Sequence, residues 1–243
     1  MTLPVRPDVR FRAYPQFNAP ELMRYARQRH RVGEVSRSIF DRPRLYDRFA
    51  RALCDRRAVS VKELLESAEF HARTRKRLRR PAMADLCCGH GLTGALFALE
   101  ATVQSVVLLD KRRPASFDAI RDALEEVDPA AAVKLSWSEA PVEDAARFLE
   151  QGGAVIGVHA CGAMTDRVLD AALSRESTAI AVMPCCYGQA CPDTPPALRD
   201  ALGAQLAVDV HRSYRLEQAG YTVHWSRIPA AISPMHRVVL GVR

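Results

Sequence analysis

The residues best suited to chemistry lie in the stretch Asp85-Leu-Cys87-Cys88-Gly89-His90-Gly91-Leu-Thr-Gly94 and, 19 residues beyond Gly91, at Asp110, which ends the apolar run Ser105-Val-Val-Leu-Leu. Gly89 and Gly91 open turns closed to other residues and let a ligand approach the backbone, while Gly94 lets a following helix pack close to the preceding strand. A carboxylate where Asp110 stands can accept hydrogen bonds from both hydroxyls of a ribose. All of this suits NAD equally well. What separates the two cofactors is Asp85: an acid at the end of the first strand is poorly placed for a pyrophosphate but well placed for the ammonium and sulfonium groups of S-adenosylmethionine. S-adenosyl-L-methionine is therefore the expected cofactor. An NAD(P)-dependent oxidoreductase is the alternative, and a glycine-rich turn in an ordinary α/β protein is the bland one.

The elements that must hold these residues follow from hydropathy. Ala82–Leu86 is a short apolar strand, Leu92–Glu100 a helix and the run ending at Asp110 a second strand. A helix (Pro114–Val127), a strand (Ala132–Trp137), a helix (Val142–Glu150), a strand (Ala154–Val158), a helix (Thr165–Ser174) and a strand (Thr178–Met183) come next. Pro196–Ala219 reads as largely helical, and Tyr221–Ile228 and Arg237–Val242 as a closing strand pair. Ahead of them, Glu21–Arg31 and Pro43–Cys54 are predicted helices, and Ser60-Val-Lys-Glu63 is a capping box opening a helix that runs to Leu78 and stops before Pro81. Alternating strands and helices imply a mostly parallel α/β sheet with helices on both faces and an antiparallel C-terminal strand. The expected organisation is a basic helical N-terminal module, residues 1–80, followed by a catalytic domain, residues 81–243.

Asp85 to Gly91 resembles motif I of class I S-adenosylmethionine-dependent methyltransferases, and Asp110 resembles the acid of motif II. Cys87 stands where that family often has its first glycine. His159-Ala-Cys161-Gly162 and Pro184-Cys185-Cys186-Tyr187-Gly188 resemble the H-x-C-G and C-C-Y stretches of a small subgroup. It includes methyltransferase-like proteins related to the ribosomal RNA adenine dimethylase domain proteins and, more distantly, tRNA 2′-O-methyltransferases of the acceptor stem. The resemblance covers about residues 80–190. It implies a Rossmann-like fold in which Asp85, Cys87, Gly89, Gly91, Gly94 and Asp110 bind the cofactor, His159 lies beside it, and Glu139 after the third strand accepts from its adenine.

In that topology Cys87, Cys88, His159, Cys161, Cys185 and Cys186 all fall at the carboxyl ends of neighbouring strands and converge on one pocket. Three chemistries stay open for the thiols. Cys161 or Cys185 could attack a pyrimidine ring, since cytosine-5 methyltransferases place cysteines after these two strands. The cluster could bind zinc or an iron–sulfur centre, although adjacent Cys-Cys pairs lack the usual ligand spacing and no residue is assigned to a metal. Or the small side chains could simply fill tight turns. His159 is the expected general base or substrate orienter, a core histidine being the other reading. Tyr187 could stack on a base or close the pocket, and His90 shapes the loop. The Asn/Asp-Pro-Pro-Tyr/Phe element used to methylate exocyclic amines is missing after the fourth strand, which argues against amine methylation of adenine or guanine.

Charge divides the chain. Residues 1–80 hold 21 Lys and Arg against 9 Asp and Glu, a net +12, and the remainder 14 against 19, a net −5, giving the overall +7. The first part also carries eight of the fourteen Phe and Tyr residues: Phe11, Tyr14, Phe17, Tyr25, Phe40, Tyr46, Phe49 and Phe70. Arginine beside aromatics suits phosphate contact with base stacking, so structured RNA, tRNA or rRNA, is the expected partner, with the run Arg73–Arg80 foremost. Helices that bury the aromatics and leave the arginines solvated are the other reading. Non-catalytic RNA binding on the same fold is a further alternative. No apolar run reaches membrane-spanning length and no signal-peptide pattern opens the chain, so a cytoplasmic protein is expected.

Overall fold

Fixing the order of the strands fixes where the site can be. The computed structural model describes residues 9–187 and 191–243, so the call on Gly188 lies outside the described residues, as do residues 1–8 of the N-terminal segment. In chain order the elements are α1 (Pro20–Met23), α2 (Glu34–Arg37), α3 (Leu45–Asp55), α4 (Val61–Leu78), β1 (Ala82–Leu86), α5 (Leu92–Ala98), β2 (Ser105–Asp110), α6 (Ala115–Val127), α7 (Pro129–Ala132), β3 (Leu135–Glu139), β4 (Ala154–Val158), α8 (Met164–Ser174), β5 (Ala179–Met183), α9 (Pro196–Leu202), α10 (Ala204–Gln218), β6 (Thr222–Arg227) and β7 (Arg237–Val242). They build a seven-stranded sheet of order β3-β2-β1-β4-β5-β7-β6. The first five strands are parallel, and β7 runs antiparallel to both β5 and β6. This is the Rossmann-like, mostly parallel α/β sheet with an antiparallel end that the sequence predicts. β4 and β5 are buried along their whole length, which is why they read as unbroken apolar runs. No helix among the described residues is long and apolar enough to cross a membrane.

One face of the sheet is covered by α3 to α6, the other by the segment 142–149, α8 and the end of α10. Residues 11–78 contribute to the same continuous core as α5, α6 and β1. Phe11, Tyr14, Phe17, Phe40, Phe49 and Phe70 are buried in it, with edge contacts such as Tyr14 to Phe40 at 5.0 Å. They are committed to packing and cannot stack on bases. Glu69, also buried, accepts the backbone N–H groups of Arg12 and Ala13 at 2.8 Å each and pairs with Arg73. That ties the start of the described chain to α4.

α4 sets the geometry that matters most for function. Its capping box forms as the sequence requires: Ser60 Oγ accepts from the Glu63 N–H at 3.2 Å, and the Glu63 carboxylate accepts from the Ser60 N–H at 2.8 Å. The helix then runs 18 residues toward the amino end of β1, so its first turns lie at the carboxyl edge of the sheet. The basic run Arg73–Arg80 leads away toward the opposite edge, its helical part lying about 10 to 18 Å from Glu66 at 1.5 Å per residue. There Arg75 and Arg79 pair with Glu100 and Arg80 Nε donates to Thr178 Oγ1 at 2.8 Å.

Several predicted boundaries move. The helix expected over Glu21–Arg31 stops at Met23, because residues 28–32 instead run extended beside residues 59–62, with Val32 N–H donating to Val59 O at 2.8 Å. The strand predicted from Ala132 begins at Leu135, since Pro129 at the first helical position and the Asp128 side chain, accepting from the Ala131 N–H, start a short turn of helix. Val142–Arg147 is a 3-10 segment rather than a full α-helix. Gly203, at φ +75°, divides the predicted long helix into α9 and α10.

Candidate active site

β1 delivers Asp85 to the carboxyl edge of the sheet, only 1% exposed. Its Oδ2 accepts the Gly94 N–H at 2.9 Å, and its Oδ1 is buried with no hydrogen-bond partner. Burial is the main force on the Asp85 carboxyl; the Gly94 amide opposes it, the nearby Asp110 carboxylate adds to it, and the net effect pushes Asp85 up to about 7. Gly94 is required here: a Cβ would come within 2.3 Å of Leu108 Cδ2 and 3.3 Å of Asp85 Cβ. Between them the chain makes three left-handed turns, at Cys87 (φ +54°), Gly89 (φ +58°) and Gly91 (φ +77°). Cys87 thus adopts the conformation of the glycine that the family often carries there, at a strain of about 1 kcal/mol.

Asp110, ending β2, accepts the Gly89 N–H at 2.8 Å and the Lys111 N–H at 2.7 Å. His90 Nδ1 accepts the Leu92 N–H at 3.2 Å, capping the start of α5, which is the loop-shaping part expected of it. Burial, with the Asp110 and Asp85 charges behind it, pushes the Cys87 thiol up to about 12 and, with Asp85 and Asp110, raises Cys88 further still, so both are neutral walls rather than nucleophiles.

Around these groups lies a cavity of about 450 Å³. It brings together Asp85, Cys87, Gly89, Asp110 and His159 from the predicted set, with Cys88, Lys111 and Met164. Gly91 and Gly94 instead pack against Leu108, where neither position has room for a Cβ. His159, at φ +63° just past β4, sets its Nε2 3.0 Å from Oε2 of Glu66, which is 2% exposed. Burial by itself would raise Glu66, but the His159 ring and the Lys62 ammonium together hold its carboxyl below the usual range.

Six predicted site residues fall outside the cavity lining: Gly91 and Gly94, which shape the loop and the start of α5, and four others. Glu139 is exposed at the end of β3, paired in register with Asp110, and its Oε1 accepts the Arg113 N–H at 3.2 Å. Tyr187 donates to Asp209 Oδ2 at 2.8 Å and receives Arg237 Nη2 at 3.2 Å, which anchors it to α10 and β7. Cys161 and Cys185 lie beside the cavity with their Sγ atoms 2.9 Å apart. Conversely, Glu63, Glu66 and Ser67 of α4 line the cavity without having been singled out. A signal for them existed: Glu66 and Glu69 flank the apolar stripe Val61, Leu64, Leu65, Ala68 at helical spacing, and acids bordering a buried stripe need partners.

The buried oxygen of Asp85 without a partner is the feature a cationic ligand would satisfy, and the loop from Cys87 to Gly91 has the backbone conformation a nucleotide cofactor's approach requires. Among solved structures, the chain is similar to precorrin-6y C5,15-methyltransferase from Geobacter metallireducens GS-15 (18% identity, 72% of this chain and 88% of that chain, TM-score 0.48). It is similar also to an O-methyltransferase family protein from Burkholderia thailandensis (17% identity, 80% and 62%, TM-score 0.45). A third likeness is the fibrillarin pre-rRNA processing protein of Methanococcus jannaschii (14% identity, 68% and 66%, TM-score 0.45). No curated protein gives a significant match. A family model described as a methyltransferase domain matches residues 56–190, more than half of the chain and a span that takes in α4 with the sheet from β1 to β5; the chain belongs to that methyltransferase family.

Proposed function

We propose that the protein is an S-adenosylmethionine-dependent methyltransferase acting on RNA, tRNA or rRNA. The observation that carries the cofactor reading is the buried, unpartnered Oδ1 of Asp85 in the same cavity as Asp110 and the His159–Glu66 pair. Asp85 would hold the cofactor's ammonium, Asp110 its ribose hydroxyls, and the Gly89–Gly91 backbone the chain between them. When bound, S-adenosylmethionine supplies an electrophilic methyl group. The Glu66 carboxylate, 3.0 Å from His159 Nε2, orients the ring, which would take a proton from an attacking hydroxyl or amine. Cys87, Cys88 and Met164 line the cavity with weakly polar surface that limits water.

The substrate reading rests on charge and place. A second cavity of about 1190 Å³, lined by Gln28, His30, Arg31, Arg37 and Arg57 among others, lies on the N-terminal part of the chain and reaches Val61 at the start of α4, whose Glu63 lines the first cavity. With six of the eight aromatics buried in the core, recognition falls to these cations, to Tyr25 at the cavity wall and to the net +12 of residues 1–80, which favours phosphate contacts. The resemblance of His159–Gly162 and of Pro184–Tyr187 to RNA-modifying relatives supports the same substrate.

Isothermal titration with S-adenosylhomocysteine and with NAD, followed by transfer of labelled methyl to total tRNA and rRNA, tests both parts. Binding of S-adenosylhomocysteine alone and label in RNA are expected. NAD binding in its place would make the chain an oxidoreductase. RNA affinity that persists without any methyl transfer would make it a binding protein on this fold.

A further inference from the structure

The turn after β4 and the loop after β5 bring three sulfur atoms together. The Sγ atoms of Cys161, Cys185 and Cys186 all lie within 4.8 Å of one another, and Cys161 to Cys185 is 2.9 Å. None of the three is in a disulfide. The three come from two loops that the parallel register of Val158 with Met183 sets side by side, so their convergence does not need the usual ligand spacing along the chain.

We propose that Cys161, Cys185 and Cys186 together bind one divalent cation of the zinc class as three thiolates, with the fourth position open to solvent. A tetrahedral zinc with Zn–S distances of about 2.3 Å separates its sulfurs by about 3.8 Å, so the observed spacings need shifts of about 1 Å or less. The outer shell is already built: the Gly162 N–H donates to Cys186 Sγ at 3.1 Å, the kind of bond that steadies a metal-bound thiolate. Gly162 at φ +57° and His159 at φ +63° bend the turn that carries this amide, at a backbone cost only for His159. Cys161 is exposed, which gives a cation an entry path. Left alone, two of the thiols resist ionising: burial, with the neighbouring thiols, raises Cys185, and partial loss of water contact is the main force raising Cys161. A cation reverses that by pairing with all three charges.

The consequence for the fold is a clasp between the His159–Gly162 turn and the Cys185–Cys186 loop, which would hold His159 in place. This inference stands on the thiol geometry alone and does not depend on the methyl-donor reading. The wild-type protein, reduced and freed of metal, is titrated with Co²⁺. One equivalent is expected to give a thiolate-to-cobalt charge-transfer band, bleached by Zn²⁺ and strengthening with pH as protons are released. Cys161→Ser, Cys185→Ser and Cys186→Ser should each weaken binding by more than about 100-fold, beyond the roughly 10–100-fold of an outer-shell change, while Cys54→Ala leaves it intact. Far-ultraviolet circular dichroism of each variant separates loss of the site from loss of the fold. A reduced wild-type protein that shows no charge-transfer band with Co²⁺ overturns the proposal, as does a band that survives all three substitutions.

Discussion

Glu66 of α4 and His159 at the end of β4 meet at 3.0 Å across the mouth of the cavity, so the helix that precedes the sheet supplies the partner of the residue that follows its central strand. With Lys62 also on it, the Glu66 carboxyl stays ionised below its ordinary range despite burial. A buried carboxylate that orients an imidazole is a standard way to fix which nitrogen carries the proton.

His159→Ala is expected to keep S-adenosylhomocysteine affinity and lose about 100-fold or more in turnover, the scale of general-base help. Glu66→Gln should lose less but measurably, because the amide keeps the contact with the ring without the charge. Turnover unchanged in Glu66→Gln would leave the pair a packing contact only.

Asp85 gives the free protein a distinctive pH dependence. Its folded value of about 7 lies above the unfolded value of about 4. Protonation therefore favours folding: this contribution is complete below about pH 4 and is lost as pH rises through 7, on the order of 4 kcal/mol in all. Urea unfolding at pH 5 and pH 8 should show the loss in the wild type and little of it in Asp85→Asn. The same variant should bind S-adenosylhomocysteine more weakly. Parallel changes in both proteins would assign the pH dependence elsewhere.

Asp110→Ala is expected to weaken S-adenosylhomocysteine binding by about 1 to 3 kcal/mol, measured by titration calorimetry, as charge-assisted hydrogen bonds are lost. It also removes the acceptor of the Gly89 N–H. Unchanged affinity would sink the assignment of this acid to the ribose.

Gly94→Ala places a methyl group 2.3 Å from Leu108 Cδ2 and 3.2 Å from Val106 Cγ1. Overpacking of about 1 to 3 kcal/mol should exceed the roughly 1 kcal/mol that alanine adds to a helix. The urea midpoint is expected to fall, and with it cofactor affinity, since Asp85 is the third neighbour.

RNA affinity is expected to depend on Arg31 and Arg57 of the second cavity and not on the far edge of the sheet. Arg31→Gln with Arg57→Gln should reduce the salt slope by about 0.7 to 0.9 per lost contact. Lys76→Ala with Arg77→Ala should leave it near the wild-type value. The opposite ranking would place the contact at the end of α4.

Much of the frame was legible because its signals are local. The glycines and acids from Asp85 to Asp110, the capping box at Ser60 and the apolar runs of β4 and β5 each declare themselves within a dozen residues. Glu66 declared only its need for a partner, by bordering an apolar stripe; which partner depends on His159, far along the chain. The aromatics of the N-terminal part read equally well as stackers or as core, and only their burial decides. Tyr187 was placed by the motif it belongs to, but its hydroxyl follows Asp209 and Arg237, which no local pattern connects to it.

Since α4 walls the cavity with Glu63, Glu66 and Ser67, the first eighty residues are not an interchangeable attachment. A chimera that joined them to another protein's sheet would have to match Glu66 to His159, Ser67 to Thr93 and Arg73 to the carbonyl of Arg227 all at once. Grafting or shuffling at the boundary before β1 would cut through the site itself, so the inheritable unit of this enzyme begins upstream of its sheet.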